Sequence, residues 1–231
     1  MADFAQGPLI VFEPEGLEIP RGIVNLARFR EWTRSDEFPE RGRIDWLQGR
    51  LEVDMSPEDL STHDTPKSAI AIRLGALIQE VEKGFVFIDR ARFACPDADL
   101  STEPDVLVLF VETLESGRAR LIPKASGAEG RFVEIEGSVD LVVECISDSS
   151  VSKDKKRLRE AYWSAGVREY WIADVRRQAV DLEVLIHRPK GYEPAPKGAE
   201  GFMASAVLGR AVRLTRKNQA AGLVFYSLDV R

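Results

Sequence analysis

The periods of apolar and polar positions change several times along the chain, and each change marks an element. Residues 1–20 carry Pro8, Pro14, Pro20 and several acids, with no period beyond the apolar run Leu9, Ile10, Val11 and Phe12, so they read as an arm. Ile23, Leu26, Ala27 and Phe29 predict a short helix that ends near Trp32 and is broken by residues 39–42. Ile44 and Trp46, then Leu51, Val53 and Met55, alternate with polar residues around Gln48-Gly49, the pattern of a hairpin. After Ser56-Pro57 a long helix begins near Ser61, with a buried stripe at Ile70, Leu74, Leu77, Ile78 and Val81, and Gly84 stops it.

Residues 85–93 read as one strand with alternating aromatics. Residues 106–111 and 139–146 are almost wholly apolar, as in strands covered on both faces. A loop over 113–130 separates them. A helix over 153–165, strands over 169–174 and 179–187, and tail strands over 204–208 and 223–228 complete the series. The order predicts a single domain of α+β (mixed α/β) class, a central sheet flanked by helices with a helix and hairpin at its N-terminal side.

Composition narrows the function. At 44% hydrophobic and 30% charged the chain is globular rather than disordered or coiled-coil. No apolar run approaches the roughly 18 residues that span a bilayer, and the N-terminus lacks a basic stretch before an apolar core, so a cytoplasmic protein without a membrane partner is expected. Cys95 and Cys145, far apart, form neither a metal pair nor a disulfide framework. A net charge of -6 argues against coating nucleic acid by bulk charge but leaves room for a local basic patch.

Two acids stand in unusual places. Asp105 follows Pro104 at the mouth of one apolar strand, and Glu144 follows Leu141, Val142 and Val143 deep in the other. Desolvating an ionised carboxylate there is costly unless a cation or a set of donors satisfies it. If the strands are neighbours, the two acids converge and suit a hard divalent ion. The alternatives are a strand-initiating residue bonded to backbone for Asp105 and a buried pair with an arginine for Glu144.

Beyond Glu144, five of the seven residues from 153 to 159 are basic. With Leu158, Ala161, Tyr162 and Ala165 as the buried stripe, a regular helix turns Asp154 and Lys155 inward at its first turn. Lys155 would hold a phosphate, while Lys156, Arg157 and Arg159 would face a nucleic-acid backbone; a solvated helix face is the plainer reading of the same run. His63, seven residues before Ile70, lies on the buried stripe of the long helix, either lining a site or bonded to backbone. Glu52 and Asp45 on the hairpin are further candidate acids, and His187 reads as structural. Phosphate loops, serine elbows, His-Glu-x-x-His and zinc patterns are all missing.

Pro104-Asp105-Val106, residues 140–147, Asp154, Tyr162, Gly166 and residues 169–174 resemble the Uma2 family (DUF820) of restriction-endonuclease-like proteins, placed in the PD-(D/E)xK nuclease superfamily. The resemblance runs over residues 40–195. It implies a restriction-endonuclease-like sheet with Asp105 and Glu144 as ligands of Mg2+ or Mn2+. The superfamily lysine would fall at Ile146, or, displaced into the following helix, at Leu158; Lys155 is the substitute, with Lys153 behind it. The leading expectation is a metal-dependent endonuclease acting on DNA, with a homodimer plausible because cutting two strands needs two sites. The alternative is a catalytically inactive module of the same fold that binds nucleic acid or a protein partner.

Overall fold

The computed structural model describes residues 10–12, 17–125 and 129–231; the remainder of the predicted arm and residues 126–128 of the predicted loop lie outside the described residues. Where the arm is described it is not free: Ile10–Phe12 pairs antiparallel with Leu17–Ile19, and Leu17 and Ile19 pack with Phe29 and Trp32 of the helix Leu26–Thr33. Asn25 caps that helix by accepting the Arg28 N–H at 2.9 Å.

Two six-stranded sheets carry the fold. In the first, the spatial order is Gly191–Pro194, Asp181–Arg188, Glu169–Asp174, Leu141–Cys145, Val106–Phe110 and Gly84–Ile88. Only the pair Leu141–Cys145 and Glu169–Asp174 is parallel, joined by the crossover helix that ends at Ser164. Val106–Phe110 and Leu141–Cys145 are buried along their whole length, because both faces are covered. Val106, Val108, Leu141 and Val143 face the long helix and a three-stranded C-terminal sheet, whose Val212, Leu214 and Leu228 close that core. Leu107, Leu109 and Val142 face the second sheet and the crossover helix. Period 2 is therefore present but invisible in the sequence, since both phases are apolar.

The second sheet runs Arg50–Asp54, Arg43–Leu47, Leu100–Thr102, Phe93–Cys95, Phe132–Gly137 and Ala119–Pro123. Its hairpin turns at Gln48 (φ 50°) and Gly49 (φ 81°), the two positive φ values a tight hairpin requires. The predicted strand over 85–93 is two strands, one in each sheet, divided by a turn in which Asp89 and Arg90 take φ 51° and 45°. The predicted loop over 113–130 holds a helical turn, Val111–Glu115, and the edge strand Ala119–Pro123. Strands Phe132–Gly137, Gly191–Pro194 and Arg210–Ala220 were not foreseen, because their exposed polar positions mask the alternation. Val81 lies past the end of the long helix and is exposed, not part of its stripe. Gly84 is required: a Cβ there would stand 2.5 Å from the Leu109 carbonyl oxygen.

Buried acids lock the sheet ends. Asp140 accepts the Phe110 N–H and the Thr113 hydroxyl, both at 2.8 Å, and Glu169 accepts the Ala206 N–H at 2.7 Å and the Ser205 hydroxyl at 2.6 Å. Both belong to the family-like motif, and their partners give them structural work.

Candidate active site

Antiparallel pairing sets Val143 opposite Val106, so the next step places Glu144 opposite Asp105, with both side chains on one face. Both are almost fully buried. Asp105 Oδ2 accepts the Cys145 N–H at 2.7 Å, and Glu144 Oε1 accepts the Tyr162 hydroxyl at 2.6 Å. Between them lies Arg43, from the first hairpin strand: its guanidinium donates to Asp105 Oδ1 at 3.1 Å and to Glu144 Oε2 at 3.0 Å, with Nε 3.5 Å from Asp45 Oδ2. Asp45, fully buried two residues along, accepts the Glu103 N–H at 3.1 Å and the Lys153 ammonium. Burial opposes the charge on Asp45, but Lys153 and Arg43 hold it below the ordinary carboxylate range.

His63 comes to the acids from a π turn, Leu60–Asp64, that precedes the α-helix Thr65–Ile78. Its Nε2 stands 3.2 Å from Asp105 Oδ2 and its Nδ1 3.4 Å from Glu58 Oε2. Burial would lower its pKa, but the nearby carboxylates of Asp105 and then Glu58 outweigh burial and raise it to about 10. The reverse holds for Asp105, where His63 and Arg43 overcome burial and bring the carboxyl down to about 2.

The crossover helix corrects the placement of the lysine. Lys153–Leu158 is also a π turn, with i→i+5 bonding, before the α-helical Arg159–Ser164. The wider turn sets Lys153, five residues before Leu158, on the inward face together with Asp154, whereas a 3.6-residue period selects Lys155. Lys153 and Asp154 are buried at the site. Lys155 turns away toward Asp174 at 3.4 Å and Glu183 at 4.0 Å. Of the predicted nucleic-acid contacts, Lys156 is exposed, but Arg157 is committed to Glu52 by two hydrogen bonds of 2.5 and 2.9 Å, and Arg159 donates to the Tyr192 carbonyl at 3.2 Å. Glu52 is thereby taken out of the site; Asp54, two residues later on the same face of the strand, lines it. His187 Nε2 donates to the Trp163 carbonyl at 3.1 Å and the ring stacks on Trp163, a structural position.

Arg43, His63, Asp105, Lys153 and Asp154 line a polar cleft of about 320 Å³, with Asp45 and Glu144 buried beneath them. Acids outnumber permanent cations around it: Asp45, Asp105, Glu144 and Asp154 face Arg43 and Lys153. The excess shows in the protons the cluster keeps. Burial, then Asp105 and Asp154, push Glu144 up to about 8 despite Arg43, and burial with Asp105 pushes Asp154 up to about 6 despite the Ser150 hydroxyl. Hard oxygen donors with more negative charge than their lysine and arginine neutralise fit a divalent cation, which Asp105 and Glu144 would hold in competition with Arg43. Glu58, His63 and Asp64 also offer ligand atoms within 4.8 Å of one another, but Lys67 Nζ already sits 2.6 Å from Glu58 and 3.2 Å from Asp64.

The sequence model of the family Uma2, described as "putative restriction endonuclease", matches residues 26–216. The chain belongs to the Uma2 family. Its fold is similar to the crystal structure of a "putative nuclease belonging to DUF820" from Anabaena variabilis ATCC 29413, with a TM-score of 0.57 and 16% identity over 80% of this chain and 91% of that one. No curated protein matches the chain. Among the described residues no helix is long and apolar enough to cross a membrane.

In this Uma2 protein Ile146, two residues after Glu144, is fully buried among apolar side chains, and the ammonium at the site comes from Lys153. Sequence reasoning missed Arg43, which at the start of an exposed-looking hairpin strand carries no sign of its buried partners. The signal is the pair of desolvated acids: the alternative of a buried pair with an arginine for Glu144 is what Arg43 forms, although the sequence does not single out which arginine.

Proposed function

We propose that this Uma2 protein is a divalent-metal-dependent endonuclease that hydrolyses DNA phosphodiester bonds. The observation that supports it most is the convergence of Asp105 and Glu144, from opposed positions of neighbouring strands, at the base of a polar cleft lined by Asp105, Asp154 and Lys153. Asp105 and Glu144 would hold Mg2+ or Mn2+, which when bound supplies a Lewis acid that neutralises charge developing on the phosphate. Lys153 offers an ammonium, steadied by Asp45, as the phosphate-binding and charge-stabilising group. His63 positions Asp105 through Nε2, and Arg43 keeps the acids together.

One observation favours the alternative, a non-catalytic module that binds nucleic acid or a protein: the Arg43 guanidinium already bridges both acids. Supercoiled plasmid incubated with purified protein and Mg2+, Mn2+ or chelator separates the two. The nuclease reading expects nicking that needs the ion and disappears in Glu144→Gln. DNA binding without cleavage under either ion would refute it and favour the module.

A further inference from the structure

A second depression meets the cleft at Arg90, which lines both. It is a mostly apolar groove of about 650 Å³ between the edge strand Gly84–Ile88 and the strand Phe132–Gly137. Phe85 and Phe132 present their rings there at 47% and 52% exposure. Where the groove is polar, Arg90 and Arg131 supply positive charge; Arg92 also lines it but is buried and paired with Glu103 at 2.5 Å, and the groove's one lining acid among the described residues, Glu134, is held by Arg30 at 3.1 Å.

Arg90 differs from the other cations of the cleft. Arg43 and Lys153 are each bound to carboxylates, whereas among the described residues the Arg90 guanidinium meets only the Glu40 carbonyl. Its backbone is held in the left-handed region, as is that of Asp89, an arrangement of two non-glycine residues that costs about 1–2 kcal/mol each. The turn is pinned on both sides: the Asp89 N–H donates to the Asp105 carbonyl at 3.1 Å, and its carboxylate accepts from Lys67 at 3.0 Å. A strained turn so anchored holds Arg90, whose guanidinium meets no carboxylate among the described residues, where the cleft joins the aromatic groove.

We propose that the groove receives an unpaired nucleic-acid strand continuing from the cleft, with a backbone phosphate held by Arg90 and bases lying against Phe85 and Phe132. The substrate of the nuclease is then DNA with a single-stranded segment, and this inference rests on the nuclease reading. A basic rim with exposed aromatic rings is the combination that binds single strands through phosphates and base stacking. A surface for a second copy of the chain also favours aromatic residues and arginine, so the mass of each variant in solution is the measurement that separates the two.

Binding is read by fluorescence anisotropy in chelator, with a labelled 20-nucleotide single strand and a blunt duplex across a salt series, alongside the mass of each variant in solution. The wild type should prefer the single strand. Arg90→Gln should weaken single-strand binding about tenfold and reduce the salt slope by about 0.7, with partial recovery in Arg90→Lys. Phe132→Ala should weaken single-strand binding about tenfold and leave the duplex within about twofold. Equal affinity of variants and wild type for the single strand, equal losses on both DNAs, or a change of oligomeric state in Phe132→Ala without loss of affinity would each overturn the inference while leaving the nuclease reading in place. A wild type that binds neither DNA also overturns the inference, and the nuclease reading is judged separately by ion-dependent nicking of plasmid.

Discussion

Replacing Glu144 by glutamine should change how stability depends on pH, by an amount the site itself sets. In the folded protein burial, with Asp105 and Asp154, raises this carboxyl from 4.5 to about 8. Between those values the folded state keeps a proton that the unfolded chain has released, so stability falls as pH rises across the window and stays lowered above it. At ~1.4 kcal/mol per pH unit the loss is on the order of 3–5 kcal/mol. For a chain of this size that is about 10 °C or more in melting temperature. Glu144→Gln carries no such proton. Thermal unfolding in chelator at pH 5, 7 and 9 should therefore find the variant gaining on the wild type as pH rises, with most of the gain complete by pH 9. His63, raised to about 10, lowers stability in both proteins as pH rises from 6.5 through 10, and largely cancels in the difference. A difference between variant and wild type that is constant from pH 5 to 9 would refute the reasoning, because Glu144 would then be titrating as an ordinary carboxyl.

The same proton predicts that Mn2+ affinity, measured by calorimetry, rises with pH by up to about tenfold per unit and levels off above about 8, since binding an ion there releases it. Lys153→Ala should lower plasmid cleavage by about 100-fold or more, while Lys155→Ala should stay within about twofold, because its ammonium is turned to Asp174 and Glu183. Equal effects of the two substitutions would contradict the π-turn placement. Arg43→Ala leaves Asp45, Asp105 and Glu144 without their shared cation and should destabilise the chelated protein by about 3–5 kcal/mol in denaturant unfolding, with part of the loss restored by Mn2+.

What could be read from the sequence, and what could not, follows from how each feature is encoded. The strands Val106–Phe110, Leu141–Cys145 and Glu169–Asp174 announce themselves because burial on two faces leaves them almost wholly apolar apart from isolated acids. Against that background Asp105 and Glu144 are conspicuous, and antiparallel register does bring them opposite each other. The hairpin around Gln48-Gly49 is equally local, since one turn fixes its register. Lys153 is hidden in the sequence because the backbone widens into a π turn where the apolar period implies a regular helix. Arg43 was hidden for a different reason: its partners lie 62 and 101 residues away, so its role exists only in the assembled fold. The division of residues 85–93 between two sheets depends on the strained Asp89-Arg90 turn, formed by residues that ordinarily avoid positive φ.

The measurement that tests the account most directly is anomalous diffraction from a crystal soaked in Mn2+. The account predicts a peak within about 2.0–2.6 Å of carboxylate oxygens from both Asp105 and Glu144, with the Arg43 guanidinium moved off at least one of them. A Mn2+ peak among Glu58, His63 and Asp64 alone, or no peak at the Asp105 and Glu144 pair with Arg43 still bridging them, would contradict it.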